Sequence, residues 1–111
     1  MNELPPNIRE VILKLEQGLR ELYGDRYRGL LLYGSYARGE ARDWSDVDLL
    51  LLLEGPVDVV GEIINLESVK WPLALEADLA LSVMPASHED FERGKSYFLR
   101  AVRTEAVPAA A

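Results

Sequence analysis

The chain contains no cysteine, which excludes disulfides and thiolate–metal sites. Its single histidine, His88, argues against a histidine-rich zinc centre. Basic charge is scarce: nine arginines and three lysines face nineteen acids, leaving a formal net charge of −7. A nucleic-acid binder normally carries a basic patch to neutralise phosphates, so direct nucleic-acid binding is not expected. No apolar run approaches the ~18 residues of a membrane span, and no signal-peptide pattern opens the sequence. The expectation is therefore a soluble, cytoplasmic protein with no membrane partner. Internal repeats and long linkers are also missing.

What is present is apolar: 49% of the 111 residues are hydrophobic, enough for one folded core and too many for disorder. A single domain spanning 1–111 is expected. Residues 6–23 place Ile8, Ile12, Leu15, Leu19 and Leu22 at helical spacing, with Pro5 and Pro6 suited to the first turn and Gly24 to the end. "YRGLLLYG" at 27–34 reads as a buried strand ending in glycine, and 35–41 as one or two helical turns. "DVDLLLLLE" at 46–54 reads as a second buried strand, apolar on both faces beyond Asp48. Residues 57–68 are helical again, and Pro72 is expected to interrupt or kink that helix. Between Leu73 and Val83 the apolar period becomes two, which predicts a strand at about 77–84, closed by Pro85. Ser87 with Asp90 three residues on marks another helix start; two short helices, or one broken near Gly94, follow. "PAAA" at the end is expected to fray. The predicted order is α-β-(short α)-β-α-β-α.

Two carboxylates, Asp46 and Asp48, stand at the head of the most hydrophobic segment. At positions i and i+2 of a strand they share one face, with backbones about 6.6 Å apart. That spacing lets both lean onto one hard cation or bridge two; burial without a cation or solvent would be costly. Gly34 and Ser35 close the preceding strand and open a helical turn. Such a position offers backbone N–H groups and a hydroxyl donor to phosphate. Only ten residues separate Ser35 from Asp46, too few for a parallel crossover, so the two strands are expected to run antiparallel. Phosphate grip and metal ligands then face one cleft. Arg38 and Arg42 could neutralise triphosphate charge; the plainer alternative is pairing with Glu40, Asp43 or the acidic strand. Ser45 is read as ordering the turn before Asp46, His88 as a surface residue, and Trp44 and Trp71 as packing residues, with Trp44 close to the cleft.

Gly34-Ser35, ten residues, then Asp46-Val47-Asp48 resembles the signature of the DNA polymerase beta nucleotidyltransferase superfamily. The fuller string "GSYARGEARDWSDVDLLL" resembles the minimal nucleotidyltransferases, often antitoxin partners of HEPN-domain proteins. The resemblance covers about residues 28–84. It implies an α/β (α+β) nucleotidyltransferase fold, a small mixed sheet of three to four strands flanked by helices. It also implies a third carboxylate from a later strand: Asp78 in "EADLALSV", with Glu76 as rival. Three such acids would hold two divalent ions, Mg2+ or Mn2+, with ATP as substrate. Gly34, Ser35 and Arg38 would bind its phosphates. The implied activity moves AMP to a hydroxyl, with tyrosine of a HEPN-type toxin as acceptor and the chain as antitoxin. Residues 85–111 are too few for the second domain that presents the acceptor in larger relatives, so the acceptor would come from a partner, in a hetero- or homo-oligomer. Two alternatives stay open: a non-catalytic module that neutralises its partner by occlusion, and an adenylyltransferase acting on a small molecule such as an aminoglycoside.

Overall fold

The computed structural model describes residues 4–109. Helix α1 (Pro6–Tyr23) buries Ile8, Val11, Ile12, Leu15, Leu19 and Tyr23, a stripe at helical period that leaves Leu22 outside it. Gly24 ends the helix at φ 54°, and a 3-10 turn leads into strand β1 (Tyr27–Tyr33). The short helix α2 (Ser35–Arg38) follows, then strand β2 (Val47–Leu53), helix α3 (Val59–Ala77), strand β3 (Leu81–Ser87), helix α4 (His88–Arg93), helix α5 (Tyr97–Glu105) and the two-residue strand β4 (Val107–Pro108).

The sheet order is β3-β2-β1-β4. β1 pairs antiparallel with β2, as the short connection requires, while β2 pairs parallel with β3 through the α3 crossover. The leucine run sits in a central strand covered on both sides. Leu49, Leu51 and Leu53 face α1 and α3, and Leu50 and Leu52 face α4 and α5; none is more than 4% exposed. By the same alternation Asp48 lies on the α5 side of the sheet.

Three expectations are corrected. The strand expected at about 77–84 starts later, because Ala77 is the last residue of α3, which runs through Pro72 without ending there, and Asp78 caps it. The apparent period of two arises because α3 is apolar almost all round: Leu73, Ala74 and Ala77 turn to the core, while Leu75 is exposed. β3 therefore begins at Leu81, and it continues through Pro85. Proline is tolerated there because β3 is an edge strand. The chain end is not frayed as far as Ala109: β4 pairs with Leu31 and Leu32 of β1, the Ala109 N–H donates to the Leu30 carbonyl at 3.0 Å, and Ala109 is buried. Ala110 and Ala111 lie outside the described residues.

The other boundaries follow local chemistry. Ser87 caps α4 by accepting the Asp90 N–H, Ser96 caps α5 by accepting the Leu99 N–H, and Gly94 at φ 60° separates the two helices.

Candidate functional site

β1 ends and β2 begins at the same sheet edge, with Tyr33 opposite Asp48. Gly34 makes the exit from β1 at φ 77° and ψ −156°, a backbone conformation open essentially to glycine alone. A Cβ there would also overlap the Asp48 carboxylate. The glycine thus lets the backbone touch the acid. Gly39, again in the left-handed region, closes α2. In the following loop the Ser45 hydroxyl accepts the Arg42 N–H at 2.8 Å, and the Ser45 N–H donates to the Arg42 carbonyl at 2.9 Å, so Ser45 orders the turn as its position suggested. The Val47 N–H donates to the Ala80 carbonyl at 2.9 Å and fixes the strand start. Asp46 is left exposed at the mouth and Asp48 half-buried behind it.

The Asp48 carboxyl is pushed above the usual carboxylate range, first by burial and then by the charge of Asp46; Arg38 counters this in part, and Glu105 adds to it. Tyr33 is raised by burial and by the charges of Asp48 and Glu105. Its ring meets Phe98 of α5 edge-on at 5.8 Å.

Arg38 engages two carboxylates: Nε donates to Glu40 at 2.7 Å, and Nη1 donates to both oxygens of Glu105 at 3.1 Å. The pairing with Glu40 is the plainer alternative raised by the sequence. Glu105 lies in no motif. It ends α5, and its carboxylate also accepts the Gly34 N–H, from a residue 71 positions away. Nothing local in the sequence marks it.

Of the sequence-derived residues, Gly34, Ser35, Arg38, Asp46 and Asp48 occupy one edge of the sheet. Asp78 does not sit mid-strand. It is the C-terminal cap of α3, in the left-handed conformation at φ 53°, two residues before the Ala80 carbonyl that receives Val47. Among the described residues no three His, Asp or Glu side chains are gathered to hold a metal. Glu76 is further removed: it lines the groove between α1 and α3 with Asn7, Glu10 and Lys14, while Asp48 faces α5. As a donor set, Asp46 and Asp48 fit a hard cation in part, offering carboxylate oxygens and a mutual repulsion that positive charge would relieve.

His88 is a surface residue, as expected, paired with Glu92 at 3.4 Å. The tryptophans are not packing residues. Trp44 is 78% exposed with the Arg42 guanidinium 5.9 Å from its ring centre, two residues from Asp46. Trp71 is 57% exposed and shares the outer face of α3 with Val60, Ile64 and Leu75. No helix among the described residues is long and apolar enough to cross a membrane.

The chain is similar to other proteins over much of its length. A Methanocaldococcus jannaschii relative, named as a candidate protein adenylyltransferase, is 28% identical over 71 residues, covering 64% of this chain and 71% of that protein. A second from the same organism, named likewise, is 33% identical over 61 residues, covering 55% of this chain and 59% of that protein. Among solved structures, a candidate nucleotidyltransferase from Sulfolobus solfataricus superposes with a TM-score of 0.58 at 17% identity, covering 97% of this chain and 89% of its own. A toxin–antitoxin complex with AMP-PNP superposes with a TM-score of 0.56 at 20% identity, covering 91% and 71%. A candidate minimal nucleotidyltransferase reaches 31% identity at a TM-score of 0.53, covering 90% and 87%. The family model described as "Nucleotidyltransferase domain" matches residues 12–102, from within α1 to within α5. The chain belongs to the nucleotidyltransferase domain family.

Proposed function

We infer that this chain is a divalent-metal-dependent adenylyltransferase that moves AMP from ATP to a hydroxyl, the tyrosine of a HEPN-type helical toxin, and so acts as an antitoxin. The observation that carries the reading is the contact of Gly34 with Asp48, which sets the Gly-Ser turn against the paired aspartates at one sheet edge. The named class of the M. jannaschii relatives supports protein as acceptor. The AMP-PNP-bound toxin–antitoxin structure supports nucleotide and toxin.

In this reading Asp46 and Asp48 hold the metal, and Asp78, which caps α3 two residues before the Ala80 carbonyl that receives the Val47 N–H, would turn in towards them as third carboxylate. The Gly34 N–H, the Ser35 hydroxyl and Arg38 bind the β- and γ-phosphates. Mg2+ or Mn2+, bound as a pair, would supply charge stabilisation at the transferring phosphoryl group and favour the deprotonated acceptor. The acceptor oxygen bonds to the α-phosphorus, the bond to the bridging oxygen breaks, and pyrophosphate leaves. The net charge of −7 suits a basic partner, and the outer face of α3 offers it an apolar surface.

A second reading, neutralisation by occlusion, draws on Asp78 being held in its cap. One experiment separates the two. The wild-type chain with ATP, magnesium and the partner should raise the partner's mass by one or more AMP units. The Asp46→Asn, Asp48→Asn double variant should still bind the partner but neither modify nor neutralise it. A double variant that neutralises an unmodified partner would establish occlusion instead.

A further inference from the structure

On that reading, we propose that Glu105 is an internal occupant of the triphosphate site, a carboxylate that the nucleotide must displace to bind. The donors it takes are those assigned to phosphate: both of its oxygens accept from Arg38 Nη1, and one also accepts the Gly34 N–H. A carboxylate and a phosphoryl group present similar oxygens to an arginine and a backbone amide, so one set of donors serves either.

The placement is otherwise unfavourable for an acid. Glu105 is the last residue of α5, at the negative end of the helix dipole. Its side chain is nevertheless only 27% exposed. Arg38 and the Gly34 amide are what hold it there, and a triphosphate offers those same groups more charge.

The tether is short and fixed. Immediately after Glu105, α5 gives way to β4, which pairs on β1 at Leu31 and Leu32. The end of α5 is therefore pinned beside the exit of β1, and release requires only rotation of the Glu105 side chain. The chain carries its own weak competitor, at a local concentration set by the fold. A site whose open state is populated about one part in ten binds its ligand about tenfold more weakly than the same site left open.

The test is equilibrium titration of the full chain with AMP-PNP and magnesium, with inorganic tripolyphosphate, and with adenosine. Wild type is compared with Glu105→Gln, which keeps the shape and loses the charge, and with Glu105→Ala. Circular dichroism confirms that each variant is folded. The expected result is about tenfold tighter binding of AMP-PNP and tripolyphosphate by Glu105→Gln, with adenosine affinity unchanged. In the wild-type chain the Gly34 amide resonance should move on saturation with AMP-PNP, as its acceptor changes from carboxylate to phosphate. Equal or weaker AMP-PNP binding by a folded Glu105→Gln, or a Gly34 resonance indifferent to saturating nucleotide, overturns the inference and leaves the adenylyltransferase reading standing. No binding by wild type or variants overturns both.

Discussion

At Asp48 the strand alternation that buries the leucines aims a carboxylate at a half-buried position next to Asp46 and Glu105. Its ionisation is disfavoured in the folded chain, so its contribution to stability is present below the unfolded carboxylate value and is lost as pH rises through the raised folded value. At neutral pH the metal-free protein therefore carries a cost that Asp48→Asn removes. The variant should melt at the same temperature as wild type or higher at pH 7 in chelator, and lose that advantage when both are measured near pH 4. A large drop in melting temperature at pH 7 would make Asp48 a structural residue. Gly34, Ser35, Arg38, Asp46 and Asp48 were all legible, because the residues that meet at this edge lie within fifteen positions of one another. Glu105 was not: it reaches the edge only because α5 packs on the face of the sheet that carries Asp48. Asp78 was read as a mid-strand acid, and its placement in a helix cap instead depends on where α3 stops.

Among the elements, the junction between α1 and α3 is tied by polar groups as well as by apolar contact. The Tyr23 hydroxyl donates to Glu62 at 3.0 Å, and Arg26 Nη1 pairs with the other oxygen of Glu62 at 3.0 Å. Burial and then Glu62 push the Tyr23 phenol up to about 12. A raised phenol contributes stability that is complete below the unfolded value of 10.0 and is lost as pH climbs through about 12. Tyr23→Phe should cost about 1 kcal/mol at pH 8, and its deficit relative to wild type should shrink as pH is raised from 10. Urea midpoints over that range measure it; a deficit that stays constant would show that only packing is involved. Helix α1 was readable from its helical period, strands β1 and β2 as short apolar runs bounded by Gly34, Asp46 and Gly55, and the break at Gly94 from the glycine itself. The stretch from Leu73 to Ala77 was not, because a helix apolar on most of its surface shows every spacing at once, including two.

For the whole molecule, acid outweighs base, and Glu40, Asp46, Asp48 and Glu105 crowd one edge. A divalent cation that binds only the folded chain must stabilise it by mass action. Magnesium at about a hundred times its dissociation constant should add ~2.7 kcal/mol to wild type, seen as a rise in melting temperature. The rise should be absent in Asp46→Asn with Asp48→Asn; an equal rise in both would assign the effect to diffuse screening of the net charge. The central strand gives this linkage its reach. β2 carries Asp48 as its second residue, with Asp46 just ahead of the strand, and the innermost layer of both hydrophobic faces in the next five. Opening that strand to water would dissolve the core, so Asp48 keeps its place for as long as the sheet holds. Asp48 is thereby as durable as the sheet itself, and a change that slackens the leucines reaches the chemistry at their head.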